Sequence, residues 1–150
     1  MASATSLIVS LEPEHTEHTW HEIILKHGNP HLKPAGDSLY ADDLVTHPNF
    51  RHLGIGTLLF DARKQVALKH NLRRIIGGGR IPNYYKYADK ISVQKYLEKV
   101  QSGQIYDPVL TFQIRNGFKI VKVLPNYLYD LSSLNYATFI EWINPEYRKL

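Results

Sequence analysis

The chain has 150 residues, 43% of them hydrophobic and 21% charged, which excludes a disordered or fibrous protein and predicts a single domain over residues 1–150. The absence of cysteine excludes disulfide scaffolds, thiolate zinc sites and cysteine nucleophiles, and it favours a cytoplasmic location. No apolar run approaches the length of a transmembrane helix, so no association with a membrane is expected.

The charge is distributed unevenly along the chain. Lysine and arginine outnumber the acidic residues by 18 to 14, and the only lysines and arginines before residue 50 are Lys26 and Lys33. A basic face that binds an anionic ligand fits this asymmetry, and a solvated basic surface fits it equally well. Nucleic acid is not the expected partner, because a cluster of tyrosines and cations such as that at residues 80–90 more often packs on its own domain.

In chain order, the first half predicts three strands. Residues 1–17 are expected to be partly disordered, apart from a short apolar strand at Ser6–Leu11. Aromatic and β-branched residues predict a second strand at His18–Leu25, although they are also compatible with a helix. Lys26–Ser38 is rich in Gly and Pro and predicts a long loop, and Leu39–Thr46 predicts a third strand.

The second half predicts helices and strands in alternation. Apolar residues recur at helical spacing after Gly54, and the next strand is expected to stop at the three glycines 77–79. Asp107-Pro108 is typical of a helix start and Asn116-Gly117 of a helix end. The predicted elements are a helix at Gly54–His70, a strand at Leu72–Ile76, helices at Val93–Val100 and Asp107–Gly117, and strands at Phe118–Leu124 and Ala137–Trp142.

This order of elements predicts a mixed sheet with helices packed on it. The helix at Gly54–His70 separates the strands 39–46 and 72–76, and it is long enough to form a crossover connection. We therefore expect these two strands to be parallel neighbours in the sheet.

The segment between the third strand and the following helix carries the clearest functional signal. It contains Arg51-x-x-Gly54-x-Gly56, in which the glycines let the backbone approach a ligand and the helix start offers free N–H groups to an anion. The segment lacks the lysine of a Walker loop after Gly56, and Leu59 stands where a dinucleotide fingerprint has its third glycine. A phosphate or pyrophosphate is the predicted ligand, and a tight turn into a core helix is the alternative.

Arg51-x-x-Gly54-x-Gly56 resembles the acetyl-CoA signature of the GNAT superfamily of N-acetyltransferases. The surrounding residues resemble the same superfamily, since Val45–Pro48 matches its fourth strand and the loop after it, and Asn116-Gly117-Phe118 matches its step from fourth helix to sixth strand. The resemblance implies an α/β fold with a mixed, mostly antiparallel sheet, flanked by helices and splayed between the fourth and fifth strands. Further motifs resemble a subgroup found beside nitrilase-type carbon-nitrogen hydrolases: Leu39-Tyr40, Asn71–Ile76, Gly78–Arg80, Tyr106–Leu110 and Pro125–Leu128.

The resemblance implies acetyl-CoA as the acyl donor and places its contacts in one stretch of chain. Backbone N–H groups of the loop and helix start would bind the pyrophosphate, with Arg51 beside it. Val45 and Thr46 would pair with pantetheine, and an N–H near Val45 would polarise the thioester carbonyl. The implied cofactor-binding residues are Leu44, Val45, Thr46, Arg51, His52, Leu53, Gly54, Ile55, Gly56 and Thr57. No metal is expected.

The implied reaction is direct transfer of acetyl to a primary amine, on a small molecule or a protein lysine. Such a transfer needs a base and often an acid. The acid in this superfamily is often a tyrosine four residues before the Gly-Phe step, where this chain has Gln113. Two sets of side chains are open to these roles, and a structural interpretation is more common for each: Tyr84, Tyr85 and Tyr106 as acids, and Asp42, Asp43 and His47 as bases.

The acceptor side is the least defined part of the predicted site. Arg80 is a candidate for binding a substrate carboxylate, and Tyr84 is a second candidate for contacting the substrate. The helices that wall the acceptor site in GNAT domains are not recognisable here. Three explanations are open: the wall is absent, a homodimer or a partner chain completes that side, or the chain is the carboxyl-terminal part of a longer protein. The alternative function, which Gln113 suggests, is an acyl-CoA-binding sensor or interaction module with a vestigial catalytic site.

Overall fold

The computed structural model describes residues 1–28 and 36–150, and this part of the chain contains five strands and four α-helices. The rest of the predicted loop, residues 29–35, lies outside the described residues. The elements are β1 (Ala2–Val9), α1 (Trp20–His27), β2 (Ser38–Thr46), α2 (Ile55–Lys69), β3 (Arg74–Arg80), α3 (Val93–Gln101), α4 (Leu110–Arg115), β4 (Lys119–Leu124) and β5 (Ala137–Ile143). None of the helices in the described part is long and apolar enough to cross a membrane.

The strands form one sheet in the order β1-β2-β3-β5-β4. β1 and β2 are antiparallel, whereas β2 and β3 are parallel neighbours joined through α2, as the sequence predicts. The pairing of β2 with β3 ends at Tyr40↔Ile76, although β2 continues to Thr46. The predicted fold class, a mixed and mostly antiparallel sheet flanked by helices, is confirmed, and the early end of this pairing is what a splayed sheet requires.

Two predictions for the amino-terminal segment need correction. The expected partial disorder of residues 1–17 does not apply to Ala2–Val9, which form β1 and pair with β2. The strand predicted at His18–Leu25 is wrong, because this segment forms α1. Thr19 and Glu22 cap the helix reciprocally, since the Glu22 N–H donates to Thr19 Oγ1 (3.2 Å) and the Thr19 N–H donates to Glu22 Oε2 (2.7 Å). This capping box outweighs the aromatic and β-branched content.

The three glycines 77–79 do not end β3, which continues through them to Arg80. The side chain of Tyr127 packs directly on Gly78, and that of Gln113 packs directly on Gly79. A Cβ atom at either glycine would collide with these side chains. The prediction of a strand stop at Ile76 is therefore wrong, because the glycines permit close packing within a strand instead of a turn.

The described residues form two compact units, and strands β3 and β5 have residues in both. The first unit comprises Met1–Thr16, His27–Gly77 and Glu141–Leu150. Its Arg74 is fully buried and donates hydrogen bonds to Ser38 Oγ (2.9 Å) and Glu141 Oε2 (2.8 Å), so the charge is paired inside the core. The single domain over residues 1–150 stays a prediction.

The second unit comprises Glu17–Lys26 and Gly78–Ile140 and has a core of tyrosines and aliphatic residues. Asp107 is completely buried in it and accepts hydrogen bonds from the Tyr96 hydroxyl (2.6 Å) and from the Leu110 N–H (3.0 Å). Burial, together with this carboxylate, raises the pKa of Tyr96. Asp107 thus caps α4, as the Asp-Pro pair predicts.

An ion pair also lies within the second unit. The Arg80 guanidinium donates to Asp130 through Nε (2.7 Å) and Nη2 (3.0 Å). The hydrogen bonds from Arg80, and then those from Ser133 and Ser132, hold the pKa of Asp130 well below its ordinary value despite partial burial. The carboxylate therefore stays ionised under mildly acidic conditions.

We expect Asp107→Ala to lower the free energy of unfolding by about 3 kcal/mol, because it removes the cap of α4 and leaves the buried Tyr96 hydroxyl without its acceptor. Urea unfolding measures this change. Asp89→Ala removes an exposed aspartate of the same unit and should change the value by less than about 0.5 kcal/mol. Equal losses in the two variants would contradict the role assigned to Asp107.

The lowered pKa of Asp130 makes a contribution to stability that depends on pH. The carboxylate titrates near pH 4 in the unfolded chain and at lower pH in the folded protein, so its contribution is present above about pH 4 and is lost as the pH falls below that value. Unfolding in urea at a series of pH values measures this contribution. Below about pH 4, the free energy of unfolding should fall less steeply with pH in Asp130→Asn and in Arg80→Gln than in the wild type. If it falls as steeply in both variants as in the wild type, the assignment is contradicted.

Candidate functional site

Strand β2 contains one more residue than its partner over the paired segment. Thr5 lies opposite Asp43 and Ser6 lies opposite Ala41, so Asp42 is the extra residue of a β-bulge. The Asp42 carboxylate accepts a hydrogen bond from Thr5 Oγ1 (3.2 Å). Bulges twist a strand locally and change the direction of its groups, and they are frequent beside functional sites.

Beyond the bulge, the backbone groups of β2 alternate between its two edges. The His47 N–H donates to Met1 O (2.9 Å). Hydrogen-bonded pairs alternate along an antiparallel ladder, so the N–H and C=O groups of every second residue before His47, namely Val45 and Asp43, also face β1. The N–H and C=O groups of Leu44 and Thr46 face the opposite edge. The outward N–H groups beside Val45 are therefore those of Leu44 and Thr46, since the Val45 N–H points to β1.

The loop after β2 leads into an uncapped helix start. The predicted helix is confirmed as α2, and Gly54 precedes it with φ +78° and offers no side-chain cap. The first turn of α2 has no acidic residue, and a Cβ at Gly54 would meet no atom within 4 Å. The positive end of the helix dipole and its N–H groups are thus open to an anion, as the two glycines predict.

Arg51 links this loop to the outer edge of β2. Its exposed side chain donates from Nε to the carbonyl oxygen of Thr46 (3.2 Å). The terminal nitrogens of its guanidinium have no hydrogen-bond partner among residues 1–28 and 36–150. The cation lies next to the loop that precedes Gly54, so it is placed to add charge to an anion site at the start of α2.

Arg63 is a residue that the sequence analysis did not single out. Its guanidinium is buried and donates to Ser6 Oγ (3.1 Å), to Thr5 O (2.8 Å) and to the carbonyl oxygen of Asp43. Burial lowers the pKa of Arg63, and the negative charges of Asp43 and Asp42 oppose that shift. The sequence does contain a signal for Arg63. It lies three positions after Phe60 and four before Ala67, so it is a charged residue on the buried stripe of α2.

The three predicted bases lie in the same unit as the bulge. Asp42 is partly buried and Asp43 exposed, while the exposed His47 accepts a hydrogen bond from the Asn49 N–H (3.2 Å) through Nδ1. A neutral histidine that accepts through Nδ1 carries its proton on Nε2. This tautomer leaves His47 without a free basic nitrogen, so the bulge aspartates are the stronger candidates.

The candidate acid and its substitutes belong to the second unit. The Gln113 side chain is about nine-tenths buried, and its Oε1 has no hydrogen-bond partner within the described part of the chain. The Tyr84 hydroxyl donates to Ile91 O (3.1 Å), while Tyr106 is 59% exposed. Tyr84 is therefore engaged structurally, and Gln113 offers an amide that can hydrogen bond but cannot deliver a proton.

Two further groups of charged side chains are already paired. Arg80, the predicted carboxylate-binding residue, binds the internal carboxylate of Asp130. Glu14, His15 and Glu141 bring their ligand atoms within 4.8 Å of one another, but Glu141 also pairs with Arg74 (2.8 Å). A guanidinium in contact with these carboxylates competes with a cation, and we assign no metal to them.

Comparison with known proteins shows what this chain is similar to. Residues 17–85 match the model of the acetyltransferase (GNAT) family. Two proteins of Bacillus subtilis (strain 168) are each 42% identical to this chain. The probable hydrolase YhcX matches over 148 residues, which are 98% of this chain and 29% of that protein. The uncharacterized N-acetyltransferase YkwB matches over 149 residues, which are 99% of this chain and 66% of that protein. The chain thus spans less than two thirds of either relative.

A solved structure is similar to this chain in fold. The GphF GNAT-like decarboxylase in complex with isobutyryl-CoA superposes with a TM-score of 0.73 over 95% of this chain and 72% of that chain, at 18% sequence identity. The residues that match the family model, 17–85, include the motif around Gly54. The chain is therefore similar to the acetyltransferase (GNAT) family over residues 17–85 and to a GNAT-like structure in fold.

Proposed function

We propose that this protein binds acetyl-CoA and transfers its acetyl group directly to a primary amine, on a small molecule or a protein lysine. The observation that carries the proposal is one continuous stretch of the first unit. It joins a strand edge with outward N–H groups at Leu44 and Thr46 to a helix start that is open to an anion at Gly54. These are the two features that a pantetheine arm and a pyrophosphate require.

The cofactor would bind along this stretch in two parts. The N–H groups from His52 to Thr57 and the guanidinium of Arg51 would hold the pyrophosphate. The amide groups of pantetheine would pair with the outer edge of β2, as an added strand does. The isobutyryl-CoA bound to the GphF enzyme supports an acyl-CoA ligand in this fold.

The transfer would proceed by attack of a neutral amine on the thioester carbonyl. The N–H of Leu44 would stabilise the negative oxygen that forms when the C–N bond is made, a contribution of roughly 3 kcal/mol for one well-placed donor. The C–S bond then breaks, the electron pair leaves with sulfur, and the ammonium proton passes to Asp42 or Asp43, directly or through water. CoA leaves as the thiolate or takes its proton from solvent, because the Gln113 amide can donate a hydrogen bond but cannot transfer a proton.

An acyl-CoA-binding sensor or interaction module without transfer is the second candidate. Gln113 is the observation that favours it, because an amide stands where the resemblance to GNAT enzymes implies a proton-donating tyrosine. The two candidates predict the same cofactor binding and differ in whether an amine releases CoA.

Several finer properties belong to the same proposal. We propose that the chain falls in the subgroup found beside nitrilase-type hydrolases, which the 42% identity to a probable hydrolase supports. A second copy or a partner chain would complete the acceptor side. The lack of cysteine supports a cytoplasmic location.

Acetyl-CoA and CoA should stabilise the folded protein, whereas GTP should not. At one hundred times the dissociation constant, a ligand of the folded state contributes about 2.7 kcal/mol and raises the melting temperature by roughly 5–10 °C. Gly54→Glu places a negative charge at the helix start and should abolish the shift. Thermal unfolding with and without each ligand measures it.

Gly103→Glu is the matched control, because Gly103 has φ +81° and the same open surroundings as Gly54 at φ +78°. This variant should keep the full shift with acetyl-CoA. If Gly54→Glu and Gly103→Glu respond alike, the pyrophosphate site is wrongly assigned. Release of CoA thiol across a panel of primary amines then separates transfer from binding alone, since a module without transfer releases none above hydrolysis.

A further inference from the structure

We propose that Arg63 is a positioning residue for acyl transfer: it holds the Asp43–Leu44 peptide of the bulge so that the Leu44 N–H faces the thioester carbonyl. The inference rests on the proposed function and adds to it a residue outside the acetyl-CoA signature. Its basis is the geometry of the first unit alone.

The side-chain hydrogen bonds of Arg63 to the described residues end at the bulge. One nitrogen, Nη2, donates both to Thr5 O (2.8 Å) and to the carbonyl oxygen of Asp43, while Nε donates to Ser6 Oγ (3.1 Å). Thr5 and Ser6 are the two residues of β1 between which the register shifts. The guanidinium thus ties both strands together at the one point where their ladder is irregular.

The planarity of the peptide bond carries this restraint to Leu44. In a trans peptide the C=O of one residue and the N–H of the next point in opposite directions. The Asp43 carbonyl points to Arg63, so the Leu44 N–H points away from it and from β1. Fixing the carbonyl therefore fixes the direction of the N–H.

The charge of Arg63 also makes the Leu44 N–H a stronger hydrogen-bond donor. A carbonyl that accepts a hydrogen bond from a cation polarises its peptide group, and hydrogen bonds in a chain strengthen one another. The Leu44 N–H becomes a stronger donor as a result. The restraint and the polarisation act on the same atom, at which negative charge would develop in the transition state.

The hydrogen bonds of Arg63 serve the backbone geometry of the bulge. The side chain lies beside a cavity of about 250 Å³ that is lined mainly by aliphatic side chains, among them Leu39 and Leu59. In these apolar surroundings the guanidinium donates to two backbone carbonyls and to a hydroxyl of the bulge. Its removal would leave these acceptors without their donor, so it would lower stability as well as release the bulge.

The test measures the carbonyl stretch of bound acetyl-CoA labelled with ¹³C at the carbonyl, by difference infrared spectroscopy. A hydrogen bond from Leu44 lowers this frequency in the wild type. We expect Arg63→Met to move the band to higher frequency and, with an amine that reacts in the panel above, to lower kcat about 100-fold, as for a misplaced catalytic group. CoA, which lacks the acyl carbonyl, should bind Arg63→Met and the wild type with equal affinity.

Two further variants separate positioning from folding. Arg63→Lys keeps a cationic donor for the two carbonyls and should restore most of the band shift, and it serves as the test if Arg63→Met does not fold. Ala67→Gly weakens the same helix at a fully buried site one turn further on, and it should leave the band in place while lowering the melting temperature.

The outcomes distinguish this inference from the proposed function. Wild-type protein that binds acetyl-CoA, together with an unmoved band in Arg63→Met, overturns the role of Arg63 and leaves the proposed function intact. A band that moves equally in Ala67→Gly also overturns it, because helix stability would then explain the effect. Failure of the wild type to bind acetyl-CoA overturns both.

Discussion

The backbone of β2 beyond Tyr40 is the feature on which the candidate site depends. Its ladder to β3 ends there, while the pairing with β1 continues to Thr46. Peptide groups that leave water need a hydrogen-bond partner, and the outer groups of Leu44 and Thr46 lack one from β3. A ligand with amide groups can pair with this edge. Arg63 at the bulge and Arg51 after the strand each donate a hydrogen bond to a backbone carbonyl of β2.

Local rules were sufficient for much of this architecture. The apolar spacing after Gly54 predicts α2, the Asp107-Pro108 pair predicts the start of α4, and the length of α2 predicts parallel neighbours on either side of it. The signature around Gly54 predicts an open helix start, which the structure has, while the anion site there stays a prediction. In each case a few adjacent residues determine the outcome, and the sequence shows those residues directly.

The features that sequence reasoning missed depend on groups distant in the chain. The glycines 77–79 stay in β3 because Tyr127 and Gln113 pack on them, which no local pattern reveals. The bulge at Asp42 depends on the register with β1, and that register decides whether Val45 or Leu44 faces outward. By contrast, the Thr19-x-x-Glu22 box that starts α1 is visible in the sequence, and it determines the helix despite the aromatic content of the segment.

The close packing of Gln113 on Gly79 has an evolutionary consequence. A side chain at residue 79 would meet the end of the Gln113 side chain, so the amide would have to move if Gly79 changed. In related sequences glycine should therefore be favoured at 79 wherever residue 113 is as large as glutamine. A lineage that exchanges the amide for a proton donor of similar size should keep the glycine, so a change of chemistry at residue 113 depends on a residue of the neighbouring strand.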